Sequence, residues 1–254
     1  MKIFRLRNYI KKITKLDFFD FFDSYFKYQR GIGYQAPLKS EINFLIGEDI
    51  NYFILFDIGA NVGDYSLLVA SHHPSSTVYS FEPSEFTFNL LKDNTKLNSN
   101  IYPFQIAFGE ETRQANLYSD KAGSGMASLF DRDLTAFSMN FNQSEIVNIV
   151  TLDDWVATNN ITPDYIKIDV EGAELLVLKG GIKTLENIRA VQFEFGGTAI
   201  DAKTYFKDYY NFLASIRFIL YRYTPTGLLR IDSYSEKEEV FEYMNYIAIN
   251  RKYL

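Results

Sequence analysis

In Phe53-Ile54-Leu55-Phe56-Asp57-Ile58-Gly59-Ala60-Asn61-Val62-Gly63-Asp64-Tyr65-Ser66 the chain changes character twice. An apolar, aromatic-rich run ends at Asp57 and gives way to a turn carrying Gly59 and Gly63. Tyr65-Ser66-Leu67-Leu68-Val69-Ala70 then reads as a helix with one buried face. Strand, tight turn and helix follow one another. The two glycines let the backbone pass close to a ligand, and the helix aims its free N–H groups into the same space. This places a ligand site at the C-terminal end of the strand.

Spacing narrows the ligand. A dinucleotide site of the usual kind needs Gly-x-Gly-x-x-Gly, whose second glycine admits a pyrophosphate against the helix end. Here that glycine is missing: Gly59 and Gly63 stand in Asp-x-Gly-x-Asn-x-Gly. A carboxylate just before the turn repels pyrophosphate and suits a cationic or hydrogen-bond-donating group. S-adenosylmethionine (SAM), with its ammonium, sulfonium and ribose diol, has that character. One strand later, Thr77-Val78-Tyr79-Ser80-Phe81-Glu82-Pro83-Ser84 ends in an acid. At that place in a doubly wound sheet, Glu82 is set to accept hydrogen bonds from both ribose hydroxyls of a nucleoside.

Outward from this core the chain alternates. Pro37 to Gly47 reads as a short helix before the first strand, Phe86 to Asn98 as a helix after Glu82, and Ile101 to Phe108 as the third strand. Ile161 to Val170 is a further strand, with a helix opening at Glu171-Gly172-Ala173-Glu174, and Ala190 to Phe195 is another strand with an acid near its end. Residues 201–216 are amphipathic, and Arg217–Tyr223 with Tyr246–Asn250 read as a closing antiparallel pair. Alternating strands and helices predict an α/β fold with a largely parallel sheet and the ligand beyond the strands' C-terminal ends. Residues 109–145, with Ser119-Asp120-Lys121-Ala122-Gly123-Ser124-Gly125, break the alternation. They read as a long loop near the active edge, favoured for acceptor binding.

The 254 residues suit one α/β domain (51–254) with an N-terminal helical extension (1–50). In that extension Ile3, Leu6, Ile10 and Ile13 share a face, with Arg5, Lys11, Lys12 and Lys15 off it, and the aromatic block Phe18–Phe26 follows. The favoured reading is packing on the core or on a second copy, which makes a homodimer plausible. A weak peripheral contact with anionic lipid and a lid hinged at Gly31-Ile32-Gly33-Tyr34 are the alternatives. A net charge of −6 and a pI near 5.1 argue against a general nucleic-acid surface. The absence of cysteine excludes disulfides, thiolate zinc sites and cysteine nucleophiles. No run approaches a membrane span and the N-terminus lacks a signal peptide's apolar stretch, so the expected location is cytoplasmic.

The sequence resembles the FkbM-type family of SAM-dependent methyltransferases. The resemblance is carried by Phe56 to Asp64, Phe81-Glu82-Pro83, Thr151-Leu152-Asp153-Asp154-Trp155, Ile166 to Glu174 with Val177 to Gly181, and Val191 to Glu194. It implies a Rossmann-like seven-stranded methyltransferase sheet, mostly parallel with an antiparallel C-terminal strand. It also implies methyl transfer to an oxygen, often a hydroxyl of a sugar or another natural product. By that resemblance the turn of Asp57, Gly59, Ala60, Asn61 and Gly63, with Asp64 and Tyr65 opening the helix, holds the methionine end of SAM. Glu82 takes the ribose, Pro83 and Ser84 flank the adenosine, and Ala107 and Phe108 line the adenine pocket. The acceptor is a small molecule or glycan. Methylation of a polyketide or peptide, at oxygen or nitrogen, is the enzyme rival, and a catalytically silent nucleoside-binding scaffold is the rival from another class.

A sugar hydroxyl is a poor nucleophile until its proton leaves, so a base or an acidifying metal must stand near it. Asp169, Glu171, Glu174 and Glu194 gather at the ends of two strands. Two chemistries compete for them: a base with like-charge crowding, involving Asp169, Glu171 or Glu194, and Mg²⁺ held by Asp169 and Glu194. Base catalysis is favoured. Glu174 is read as either an active-site acid or a residue that caps the helix or pairs with Lys179. Asp153 and Asp154 are read as helix caps. His72 and His73 are read as surface residues at a helix C-terminus.

Overall fold

The computed structural model describes residues 18–47, 50 and 52–254. The expected helical face of Ile3, Leu6, Ile10 and Ile13 lies outside them. Two helices, α1 (Phe18–Gln29) and α2 (Leu38–Ile46), precede the alternating run β1 (Ile54–Ile58), α3 (Asp64–His72), β2 (Thr77–Phe81), α4 (Glu85–Thr95) and β3 (Ile101–Phe104). Three strands follow: β4 (Ala107–Phe108), β5 (Arg113–Ser119) and β6 (Gln143–Val150). Alternation resumes in α5 (Leu152–Asn159), β7 (Tyr165–Ile168), α6 (Glu174–Lys179), α7 (Ile182–Leu185), β8 (Ala190–Phe195), α8 (Thr198–Ala202) and α9 (Phe206–Ser215). The chain ends in β9 (Phe218–Thr224), β10 (Gly227–Ile231) and β11 (Met244–Asn250).

The main sheet runs β10-β9-β11-β8-β7-β1-β2-β3. The five strands from β8 to β3 are mutually parallel, and β11 lies antiparallel between β8 and β9. Without β10 this is the expected seven-stranded sheet. The eighth strand arises because the chain reverses through Pro225-Thr226 into Gly227, whose φ of +122° the short turn requires, and pairs back on β9.

Alternating side chains of the buried strands serve two apolar layers. Leu55, Val78 and Tyr165 face α2 and α3, where Ile42, Leu45, Ile46 and Val69 are buried. Each such aliphatic side chain contributes roughly 2 kcal/mol relative to exposure. Phe56, Phe81, Ile166 and Phe193 face the opposite layer with Trp155, Val177, Leu178, Phe206 and Tyr209. The Trp155 indole meets the Phe56, Phe81 and Phe104 rings edge-on at 5.1, 4.9 and 5.3 Å between centroids, so much of the aromatic content serves this layer.

Several expectations need correction. The stretch 101–108 is two strands, because β2 offers β3 no partner beyond Phe81↔Phe104; the chain veers after Gln105-Ile106 and β4 pairs with β6 instead. Part of 109–145 is ordered as the antiparallel ladder β5–β6, which with β4 forms a second, three-stranded sheet. Its strands are half exposed and polar, hence their loop-like sequence. Only residues 120–142 connect them irregularly.

Helix α5 is capped by Thr151, whose hydroxyl accepts the Asp154 N–H. Asp153 reaches across to cap α7 through Lys183 N–H, Thr184 N–H and the Thr184 hydroxyl. His72 and His73 sit at the end of α3 as expected. In α1 the face of Phe21, Phe22, Tyr25 and Phe26 is exposed rather than packed on the core. Gly31-Ile32-Gly33-Tyr34 is not a hinge. A Cβ on Gly31 would stand 1.9 Å from the Tyr223 carbonyl, Ile32 is buried, and Gly33 N–H donates to the Tyr243 carbonyl at 2.8 Å. The segment is docked against β9 and the start of β11. Among the described residues no helix is long and apolar enough to cross a membrane.

Candidate active site at the strand ends

The turn after β1 rises directly against the turn after β7. Gly59 has a φ of +79°, and a Cβ there would lie 1.8 Å from the Asp169 carbonyl oxygen, so only glycine allows the two backbones to touch. Asn61 adopts a left-handed φ of +50°, and its N–H donates to Glu82 Oε2 at 3.1 Å. Glu82 Oε1 accepts the Ser84 N–H at 3.0 Å. Burial, partly offset by these two N–H donors, pushes the Glu82 carboxyl up to about 7.

Asp57 takes a different place. It is fully buried one residue before the strand end, where Oδ2 accepts the Ser66 hydroxyl at 2.6 Å and Oδ1 lies 3.5 Å from Lys167 Nζ. Lys167 in turn stands 3.2 Å from Asp169 Oδ2 and 5.2 Å above the Tyr65 ring. Burial alone would lower the lysine pKa, but the Asp169 and Asp57 carboxylates outweigh it and hold the ammonium charged. Ser80, Asp57, Lys167 and Gln192 are mutual register partners on four adjacent strands, a polar row crossing an otherwise apolar sheet.

A cleft of about 890 Å³, its open mouth included, lies above these turns. Its lining includes Gly59, Asn61, Glu82, Pro83, Ala107 and Phe108 from the turns after β1 and β2 and from β4, and Asp169, Glu171 and Glu194 from the ends of β7 and β8. These nine expected site residues come together. Asp57, Ala60, Gly63, Asp64, Tyr65 and Ser84 do not line the cleft: Asp57 and Tyr65 lie beneath the turn around Lys167, and Gly63 and Asp64 begin α3. The stretch 109–145, expected near the active edge, supplies Leu117 from β5 and Ser124 and Leu129 from the loop that follows, whereas Tyr243, just before β11, is a lining residue the sequence reading missed. The segment 124–129 thus forms one wall, held by Ser128, whose hydroxyl donates to the Glu171 carbonyl at 2.7 Å.

The acids that follow β7 and stand on β8 differ in their commitments. Glu171, in a left-handed conformation (φ +54°), receives Arg132 Nη1 at 3.1 Å, while Arg132 Nε donates to Asp201 at 3.0 Å. Burial and the Asp169 charge push Glu171 up to about 7 against the pull of Arg132. Glu174 faces inward and accepts the N–H groups of Val170 and Gly172 at 3.1 Å, with burial raising it to about 7. It therefore holds the turn, and Lys179 pairs with Glu110 instead. Glu194, crowded by Asp169, Glu174 and Glu171, is pushed up mainly by burial to about 9. Burial and the Glu194 charge also push the Tyr243 phenol well up.

Among the described residues no group of three or more His, Asp and Glu side chains is arranged to hold a metal ion. Asp169 Oδ2 is already paired with the Lys167 ammonium at 3.2 Å, which competes with the alternative Mg²⁺ set of Asp169 and Glu194. The two histidines lie away from the cleft.

The methyltransferase FkbM domain model matches residues 57–223, which contain both turns and all the cleft acids. This chain belongs to that family. It is 28% identical over 142 residues to Methyltransferase 1 of Beauveria bassiana, covering 50% of this chain and 57% of that one. It is 25% identical over 158 residues to the hexuronic acid methyltransferase AglP of Haloferax volcanii, covering 60% of each. It is 26% identical over 152 residues to the 31-O-demethyl-FK506 methyltransferase FkbM of Streptomyces tacrolimicus, covering 50% and 58%. The chain thus spans less than two thirds of the length of these relatives. Among solved structures, an rRNA methylase from Streptococcus thermophilus is similar at 11% identity and a TM-score of 0.49, covering 85% of this chain and 97% of that one.

Proposed function

We propose that this FkbM-family domain is a SAM-dependent O-methyltransferase acting on an uncharged hydroxyl, with a sugar in a glycan or glycosylated metabolite as the favoured acceptor. The observation that carries the reading is a single cleft with a nucleoside-type end and a proton-accepting end. The residues at the first end fit the donor: Glu82 presents a carboxylate for a ribose diol, and Pro83, Ala107 and Phe108 supply an apolar wall for a purine. When bound, SAM supplies a methyl group on a sulfonium, which leaves as a neutral thioether.

The chain supplies placement and proton transfer. Asp169 is positioned at the cleft by its strand end and by the Lys167 ammonium 3.2 Å away. It takes the acceptor's hydroxyl proton as the new O–C bond forms and the S–C bond breaks. Glu194, whose protonated form is favoured by burial and by the neighbouring Asp169, serves as a hydrogen-bond donor to the acceptor rather than as a second base. Glu82, Asp169, Glu171 and Glu194 are the ionisable side chains of the cleft lining, and no Lys, Arg or His is among the residues that line it. An acceptor carboxylate or phosphate would meet carboxyl groups with no free cation to pair with, since the nearby Lys167 and Arg132 are already engaged by Asp169 and Glu171. Although one relative is named for a hexuronic acid, the charge of this cleft favours a sugar hydroxyl over a sugar carboxylate.

Calorimetric titration with SAM and with S-adenosylhomocysteine (SAH) tests the donor end. Mass spectrometry of products from paired neutral and uronic-acid glycosides tests the acceptor end. Absence of binding by both nucleosides would overturn the reading. Methylation confined to carboxylates would overturn its acceptor half.

A further inference from the structure

The cleft wall at Tyr243 is held by a buried hydrogen-bond network that joins residues from both ends of the chain to the sheet. Tyr243 and Asn245 follow the family-matched segment, which ends at 223, and Glu41 of α2 precedes it. Asn245 Nδ2 donates to the Tyr243 hydroxyl oxygen at 2.9 Å and to Glu41 Oε1 at 2.9 Å. Gln192 Nε2 donates to Glu41 Oε2 at 3.2 Å, and the Tyr223 hydroxyl donates to Gln192 Oε1 at 3.0 Å. Glu41, Gln192, Asn245 and Tyr223 are all buried.

Donor and acceptor inventory gives this network a direction. The Glu41 carboxylate accepts at both oxygens, so Asn245 and Gln192 both turn their NH₂ groups toward it. Asn245 has two amide protons and uses one for each partner. The Tyr243 oxygen is therefore an acceptor inside the network, and its own proton is left over. Among the described residues nothing takes that proton, and the phenol lines the cleft beside Glu194 and Asp169. The Tyr243 backbone is pinned too, since its carbonyl accepts the Gly33 N–H.

We propose that Tyr243 positions the acceptor by donating its phenolic hydrogen bond to an acceptor oxygen other than the one methylated, and that Asn245 and Glu41 fix the phenol in that direction. The acceptor accordingly carries at least two oxygens at neighbouring positions, as a diol or sugar does. The proposal rests on the methyltransferase reading above. It adds that the N-terminal extension, through Glu41, sets acceptor recognition at a distance.

The test uses the full chain loaded with SAH and a panel of methyl glycosides of the neutral hexoses, read by saturation-transfer NMR. At least one glycoside is expected to bind. Tyr243→Phe should weaken that binding about tenfold, the size of one lost hydrogen bond, and leave SAH affinity within about twofold. Glu41→Gln keeps the shape but puts an amide where a second acceptor oxygen is needed, so Asn245 turns its carbonyl toward Tyr243 and draws the phenolic proton away from the cleft. It should match the Tyr243→Phe loss, and the double variant should be no worse than either single variant. A purely structural role for Glu41 would lower the melting temperature without this non-additivity. Unchanged glycoside binding in Tyr243→Phe, additive losses in the double variant, or no binding by any glycoside would each overturn the proposal. Failure of SAH itself to bind would instead count against the methyltransferase reading.

Discussion

The two turns that meet in the cleft are built alike and use their acids in opposite ways. Each follows a parallel strand, contains a left-handed non-glycine residue, Asn61 or Glu171, and is tied by a glutamate that accepts its backbone N–H groups. On the donor side the strand's aspartate, Asp57, is buried with Ser66 and Lys167, and the tying glutamate, Glu82, faces the cleft. On the acceptor side the aspartate, Asp169, faces the cleft, and the tying glutamate, Glu174, faces inward. The cause is register. Asp57 pairs with Lys167 inside the sheet, whereas Asp169 lies just beyond the last paired residue, Ile168. Two positions along the register separate a carboxylate buried in the sheet from one that faces the cleft.

Exchanging the roles experimentally would break this contrast most sharply at Asp169. Asp169→Asn should cost on the order of 10² to 10⁴ in methyl transfer while SAH binding persists; a variant with near-full activity would remove Asp169 as the base. Its counterpart Glu174→Ala leaves two buried N–H groups without an acceptor. It should lower unfolding free energy by about 3 kcal/mol in a urea titration, and a stability loss below about 1 kcal/mol would contradict its tying role. Glu82→Gln should weaken SAH binding about tenfold by calorimetry with little change in stability. If it unfolds the protein as Glu174→Ala does, the donor-side glutamate is structural after all.

Titration sharpens the contrast further. Glu82, Glu171 and Glu174 stand near 7 and Glu194 near 9, all above the ordinary carboxylate value of 4.5. The folded state holds these protons more tightly than the unfolded chain does. The stability they confer is complete below about 4.5 and is lost as pH rises through 7 and then 9. The melting temperature should therefore fall by several degrees between pH 6 and pH 9, and Glu194→Gln should flatten the alkaline part of the fall. A melting temperature rising across that range would show the acids to be better solvated than the cleft allows. The smallest effect belongs to Glu171→Gln. Its carboxylate is engaged by Arg132, so activity should drop only a few-fold, against the much larger loss at Asp169.

The donor turn and the strand-end acids were legible in the sequence because they are local: glycine spacing, an apolar run and a terminal carboxylate fall within a dozen residues. What escaped depends on distance or on edge position. Lys167 reads as an exposed alternation in Ile166-Lys167-Ile168, yet it is buried because Asp57, 110 residues earlier, pairs with it. Glu41 looks like a solvated helix residue until Gln192 and Asn245 are brought to it. Tyr243 lies in a stretch with no period at all. The ladder β5–β6 was hidden because a half-exposed strand carries polar residues on one face.

The contact of Gly59 with the Asp169 carbonyl has one more consequence. Two backbones touching without even a methyl group between them form a fixed gauge: in the proposed reading, the span from donor turn to proton acceptor is set by main-chain atoms rather than by side chains that could reorient.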